Sequence, residues 1–170
     1  MFHRFGSINK NQKGFTMVEL LIAVAITAVI VGSVTTVIFQ VFTGNTRTSN
    51  HMTAVRQVQN AGYWVSHDVQ MANSVNATGA AGFPLLLTWV KWEDGTSDNV
   101  TYALTSSQLV RTEKVGAGLP KTTVVARYIT QASCNLTSGR LIFNVTATVG
   151  SGSLAKSETR VYEIVPRPSQ

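Results

Sequence analysis

The chain has 170 residues, 44% of them hydrophobic and only 13% charged, with a formal net charge of +6. With residues 15–42 set aside as an apolar segment, about 128 residues remain, which supports one domain with a modest core and excludes two. Arg4, Lys10 and Lys13 all precede Gly14, so the rest carries 11 basic and 8 acidic side chains, too even a balance for a polyanion binder, and the single cysteine, Cys134, excludes an intramolecular disulfide.

The first predicted element is an apolar helix. Leu20 to Phe42 is a charge-free run of 23 residues. At 1.5 Å per residue it makes a helix of roughly 35 Å, enough to cross a hydrocarbon core of about 30 Å. The three early cations read as a cytoplasmic flank, which places the bulk of the chain outside. Glu19 is the only formal charge between Lys13 and Arg47. A carboxylate at the edge of such a segment costs a few kcal/mol and calls for a partner or a function. A secretory signal peptide has a shorter apolar core followed by a small-residue cleavage site, and neither feature is present. A plain signal anchor fits the length and flanks but leaves Glu19 unexplained. In its simplest reading, Glu19 is an interfacial residue that reaches for the headgroups.

The stretch Lys13-Gly14-Phe15-Thr16-Met17-Val18-Glu19-Leu20 resembles the class III signal of the type IV pilin and pseudopilin superfamily. The resemblance implies cleavage by prepilin peptidase between Gly14 and Phe15, N-methylation of Phe15, and Glu19 as the fifth residue of the mature chain. It implies a leader over 1–14, a transmembrane and filament-core helix over 15–42, an amphipathic continuation over 43–73 and a β-rich head over 74–170. An α-amino group freed at Phe15 has a pKa of about 8 and is cationic near pH 7. Glu19 can offset it within one chain or between neighbours, which makes Glu19 the expected register device for packing helices. Many major pilins carry a mid-helix proline, whereas this chain has Gly32-Ser33-Val34-Thr35-Thr36, which weakens a helix less.

Beyond Thr43 to Asn50, a polar stretch that either interrupts the helix or marks the membrane exit, helical periodicity returns. Val55, Val58, Gly62, Val65, Val69 and Ala72 are spaced by threes and fours and predict an amphipathic helix over 47–73. Continuous with the first, it would span about 88 Å. Residues 73–82 read as a loop. Strands are expected at 85–92, 99–105, 108–114, 123–130, 140–149 and 155–165, with turns at Glu93-Asp94-Gly95, Ser106-Ser107, 116–120 and 150–152. The expected fold is α+β, a long N-terminal helix packed on one face of an antiparallel sheet. The strand order also resembles, more loosely, PilW-type and J-type minor pilins and pseudopilins, and major pilins commonly carry a C-terminal disulfide loop that this chain cannot form alone.

No residue set points to catalysis or a cofactor. His3 lies in the leader, and on one helix His51 and His67 would be about 24 Å apart, too far to share a metal. His67-Asp68 reads as a pair of solvated helix residues, and Cys134 as a buried or idle thiol between strands. Glu93, Asp94 and Asp98 around Gly95 form either a charged hairpin turn or a Ca²⁺ site, since some relatives bind one. Trp89 and Trp92 face opposite sides of a strand, one towards the core and one out. Arg111, Lys114, Lys121 and Arg127 are too dispersed for nucleic acid. Four Asn-x-Thr sequons, at Asn76, Asn99, Asn135 and Asn144, carry no further sign of glycosylation. The reading is a non-enzymatic minor pilin or minor pseudopilin, partnered by other subunits through the helix, by prepilin peptidase and by the inner-membrane assembly platform. Its rivals are a major pilin and a membrane-tethered binding module for an adhesin target or DNA.

Overall fold

A computed structural model describes residues 14–91 and 95–167. The described residues separate into two compact units, with the border between Thr43 and Gly44. Both contribute to one α-helix, α1, Met17–Met71. The stretch from Thr43 to Asn50 therefore stays helical, Gly44 included. Within it Thr48 Oγ1 donates to the Gly44 carbonyl at 3.0 Å, which satisfies the hydroxyl inside the helix.

In the first unit every large apolar side chain from Phe15 to Phe42 is at least half exposed. Thr27, Ser33, Thr35 and Thr36 each donate to the carbonyl four residues back, at 2.8–2.9 Å. The hydroxyls of this part of the helix are thus satisfied internally, as an apolar solvent requires. By length and composition the helix can cross a membrane.

In the second unit α1 turns amphipathic. Ala54, Val58, Ala61, Gly62, Val65, Asp68 and Val69 are buried, and Ala72 follows just past its end. The stripe runs one residue off the expected line at its start, where Ala54 is buried and Val55 is partly exposed. Small residues allow a backbone to approach a sheet closely. A Cβ built on Gly62 would lie 2.1 Å from Cζ of Tyr162, so the tyrosine ring occupies the space glycine leaves.

Eight strands follow among the described residues: β1 Ser74–Ala77, β2 Leu85–Val90, β3 Ser97–Thr105, β4 Gln108–Val115, β5 Lys121–Arg127, β6 Ile129–Thr137, β7 Arg140–Val149 and β8 Lys156–Ile164. All pairings are antiparallel, and they form a five-stranded sheet β1-β2-β3-β4-β5 and a three-stranded sheet β6-β7-β8. The fold is α+β, with a long apolar N-terminal helix packed on antiparallel sheets, consistent with a pilin-like fold.

The structure corrects the single expected sheet and the single strand over 123–130. Tyr128, with φ +60°, breaks that run after Arg127 and sends the chain into a second sheet. A left-handed residue costs about 1–2 kcal/mol unless it is glycine, so a tyrosine there gives no local warning. The new strand, β6, carries Cys134, which was expected between strands; its thiol is buried in the core, one of the two expected states. The first four residues of the expected 73–82 loop after Asn73 form β1, antiparallel to β2. β7 matches its expectation: Leu141, Phe143, Val145, Ala147 and Val149 alternate inward. The core joins these to Leu85, Leu87, Val100, Tyr102, Leu109, Ile129 and the helix stripe.

Candidate functional site

Two places in the chain carry candidate functional side chains, one in each unit. In the first, Thr16 precedes α1 and its Oγ1 accepts the Glu19 backbone N–H at 3.3 Å. Thr16 is the helix N-cap and Glu19 the third helical residue, the spacing of a capping box. A carboxylate in the first turn also faces the positive end of the helix dipole, worth about 0.3–1 kcal/mol. Phe15, Glu19, Leu20, Ala23, Val24 and Thr27 line one shallow groove along the helix. Among the described residues no ion pair engages the Glu19 carboxylate. Gly14 is described and open on all sides, while residues 1–13, including Arg4, Lys10 and Lys13, lie outside the described set.

The second place is a charged seam where the end of α1 meets β3 and β4. Asp68 was expected to be solvated beside His67, and the structure corrects this: Asp68 is 3% exposed, among the core residues. It accepts hydrogen bonds from the Tyr102 hydroxyl at 2.5 Å and from Arg111 Nε at 2.7 Å. Arg111 Nη1 donates to Glu113 Oε2 at 2.8 Å, and the guanidinium carbon lies 5.3 Å from the centre of the Trp64 ring. The strands position these groups directly, since Tyr102 and Arg111 are register partners and Val100 pairs with Glu113. Arg111 and Glu113, two apart on β4, share the face of Leu109.

The electrostatics follow from burial. Burial and the Asp68 hydrogen bond both push the Tyr102 hydroxyl well above the ordinary tyrosine range. Burial works against the Arg111 charge, but the bonds to Asp68 and Glu113 outweigh it and hold the guanidinium firmly protonated. His67 sits at the rim, its Nδ1 3.4 Å from Asp68 Oδ1 and its ring stacked against Tyr63. A cavity of about 350 Å³ opens here, lined by His67, Asp68, Asn73, Trp89, Arg111, Glu113 and Arg167 among others. The sequence contained a sign of this seam. Ala54, Val58, Ala61, Val65, Asp68 and Ala72 are spaced four, three, four, three, four, so a carboxylate stands on the apolar stripe and implies a buried cation opposite.

The remaining candidate residues do not come together. Asp98 Oδ1 accepts the Gly116 N–H at 3.0 Å and its Oδ2 lies 3.5 Å from Lys91 Nζ, so this carboxylate ties the β2–β3 and β4–β5 turns. Glu93, Asp94 and Trp92 lie outside the described residues. Among the described residues no three His, Cys, Asp or Glu side chains converge on a metal position. Trp89 is half-buried against the core. Burial pushes the Cys134 thiol up to about 12, which suits a core residue and not a nucleophile.

Residues 9–35 match the family model described as the prokaryotic N-terminal methylation motif. The match supports the pilin and pseudopilin superfamily and indicates a type IV pilin-like precursor, and with the apolar N-terminal helix it points to membrane anchoring. No curated protein matches the chain.

Proposed function

We propose that this chain is a minor pilin or minor pseudopilin, a structural subunit carried in or at the tip of a type IV pilus or a type II secretion-like filament. The observation that carries the reading is the methylation-motif match over residues 9–35, which spans Gly14, Phe15 and Glu19 and leads directly into an apolar helix. In this reading prepilin peptidase cuts after Gly14 on the cytoplasmic side and Phe15 becomes an N-methylated terminus. Residues 15–42 then hold the subunit in the inner membrane and later in the filament core, with the head over 74–170 outside. The carboxylate of Glu19, which no ion pair engages among the described residues, meets the Phe15 amine of its own or a neighbouring chain. That amine exists only after cleavage, because in the precursor the Phe15 nitrogen is part of a peptide bond.

Mass spectrometry of the chain recovered from membranes tests the processing. The expected product begins with N-methylated Phe15, and a chain that keeps Met1 through Gly14 would overturn the proposal. Low abundance in sheared filaments supports a minor subunit, and dominance there favours the major one. The cavity at the head seam favours one second reading, in which the same filament helix carries a binding module.

A further inference from the structure

We propose that the cavity at the end of α1 is a binding site for a neutral, polyhydroxylated ligand, a single saccharide unit. Its volume, about 350 Å³, stands at the small end of the roughly 300–1,000 Å³ typical of small-molecule sites, which suits one ring. The lining groups decide its chemistry. Arg111 has five N–H donors and spends three, two on Asp68 and one on Glu113, which leaves one N–H on each terminal nitrogen. Glu113 keeps its second carboxylate oxygen and is one-third exposed. His67 keeps its Nε2, and its side chain is 57% exposed. Donors and acceptors are thus arrayed together on planar groups, the complement of vicinal hydroxyls, each of which both donates and accepts.

Charge argues against an ionic ligand. Two carboxylates, Asp68 and Glu113, already flank one guanidinium, so an incoming anion meets a net negative triad that Arg167 only offsets. With Arg167 counted, two carboxylates face two guanidiniums, so an incoming cation gains no net attraction either. A neutral ligand needs no such attraction. The half-buried Trp89 ring in the lining supplies an apolar face for the C–H side of a sugar ring. The proposal stands on the head alone and does not depend on the filament role.

The test is saturation-transfer NMR on the full chain in dodecylphosphocholine micelles, whose headgroup carries no sugar. The probes are methyl glucoside, methyl galactoside and N-acetylglucosamine, with acetate and inorganic phosphate alongside. At least one saccharide is expected to give a signal that weakens tenfold or more in Glu113→Gln and in His67→Ala, while Lys156→Ala binds as the parent does. His67 is on the exposed helix face, so its variant keeps the test valid if Glu113→Gln fails to fold, as circular dichroism would reveal. Binding of acetate or phosphate without any saccharide, no binding at all, or saccharide binding unchanged in His67→Ala would each overturn the proposal.

Discussion

The Tyr162 ring lies against the bare backbone of Gly62, and its hydroxyl donates to the Val58 carbonyl at 3.0 Å. A helix glycine normally costs about 1 kcal/mol relative to alanine. Here the cost is offset by close approach, because the missing Cβ makes room for the Tyr162 ring of β8. Phe143 stacks behind Tyr162 with ring centres 6.1 Å apart, so the ring has little room to retreat.

Gly62→Ala is therefore expected to destabilise the head despite its better helix propensity. Overpacking of about 1–3 kcal/mol outweighs a propensity gain of about 1 kcal/mol. Tyr162→Phe keeps the ring and removes only the hydroxyl bond, a loss of about 1 kcal/mol. Thermal unfolding of the full chain in micelles checks both, and a Gly62→Ala chain that melts higher than the parent would show the contact to be slack.

The seam of Asp68, Tyr102 and Arg111 is expected to behave as a unit. Arg111→Met strands the buried Asp68 carboxylate and is expected to cost about 3–5 kcal/mol, while Asp68→Leu leaves Arg111 its bond to Glu113 and is expected to cost less. The double variant is expected to cost clearly less than the two losses added, because neither buried charge remains and only the part-exposed Glu113 loses a partner. A double-mutant cycle in urea measures this, and strict additivity would mean that the two side chains do not depend on each other.

Stability is expected to fall in alkali. Cys134 has its folded pKa raised to about 12 against an ordinary value near 8.5. For a raised pKa the folded state binds the proton more tightly. The contribution is complete below the ordinary value and is lost as pH rises from there through the folded value. Tyr102 acts in the same direction from about pH 10 upward. Cys134→Ala is expected to flatten the slope between about pH 8.5 and 12. In the parent, a thiol reagent should label Cys134 only after denaturant is added.

Glu19 has two separable roles, a first-turn residue of its own helix and a partner for another charge. Thr16→Ala removes the cap and is expected to cost about 1 kcal/mol locally while leaving filament incorporation intact. Glu19→Ala is expected to leave membrane insertion intact and abolish incorporation. Shearing filaments from cells that express each variant compares them. Equal incorporation of the two would reduce Glu19 to a helix-terminus residue.

The sequence by itself determined the elements whose signals are local. The apolar run, the Gly14-Phe15 and Glu19 signal, the helical periodicity after Asn50 and the alternation of β7 are each legible within a few residues, because each face meets one uniform environment. Ser138-Gly139, both with positive φ, also marks the β6–β7 turn, but the strand before it shows no regular alternation of burial. Only the tertiary structure decided the rest. The switch of sheets at Tyr128 depends on a left-handed residue that carries no glycine or asparagine to announce it. Gly62 reads as a gap in the apolar stripe until Tyr162, 100 positions later, fills it. Asp68 stands on the apolar stripe as a carboxylate in need of a partner, and only β3 and β4 supply Tyr102 and Arg111 across 34 and 43 residues. A local pattern records which face of an element is apolar. It does not record which distant side chain will satisfy a buried charge or fill a missing Cβ, because that partner is chosen by packing.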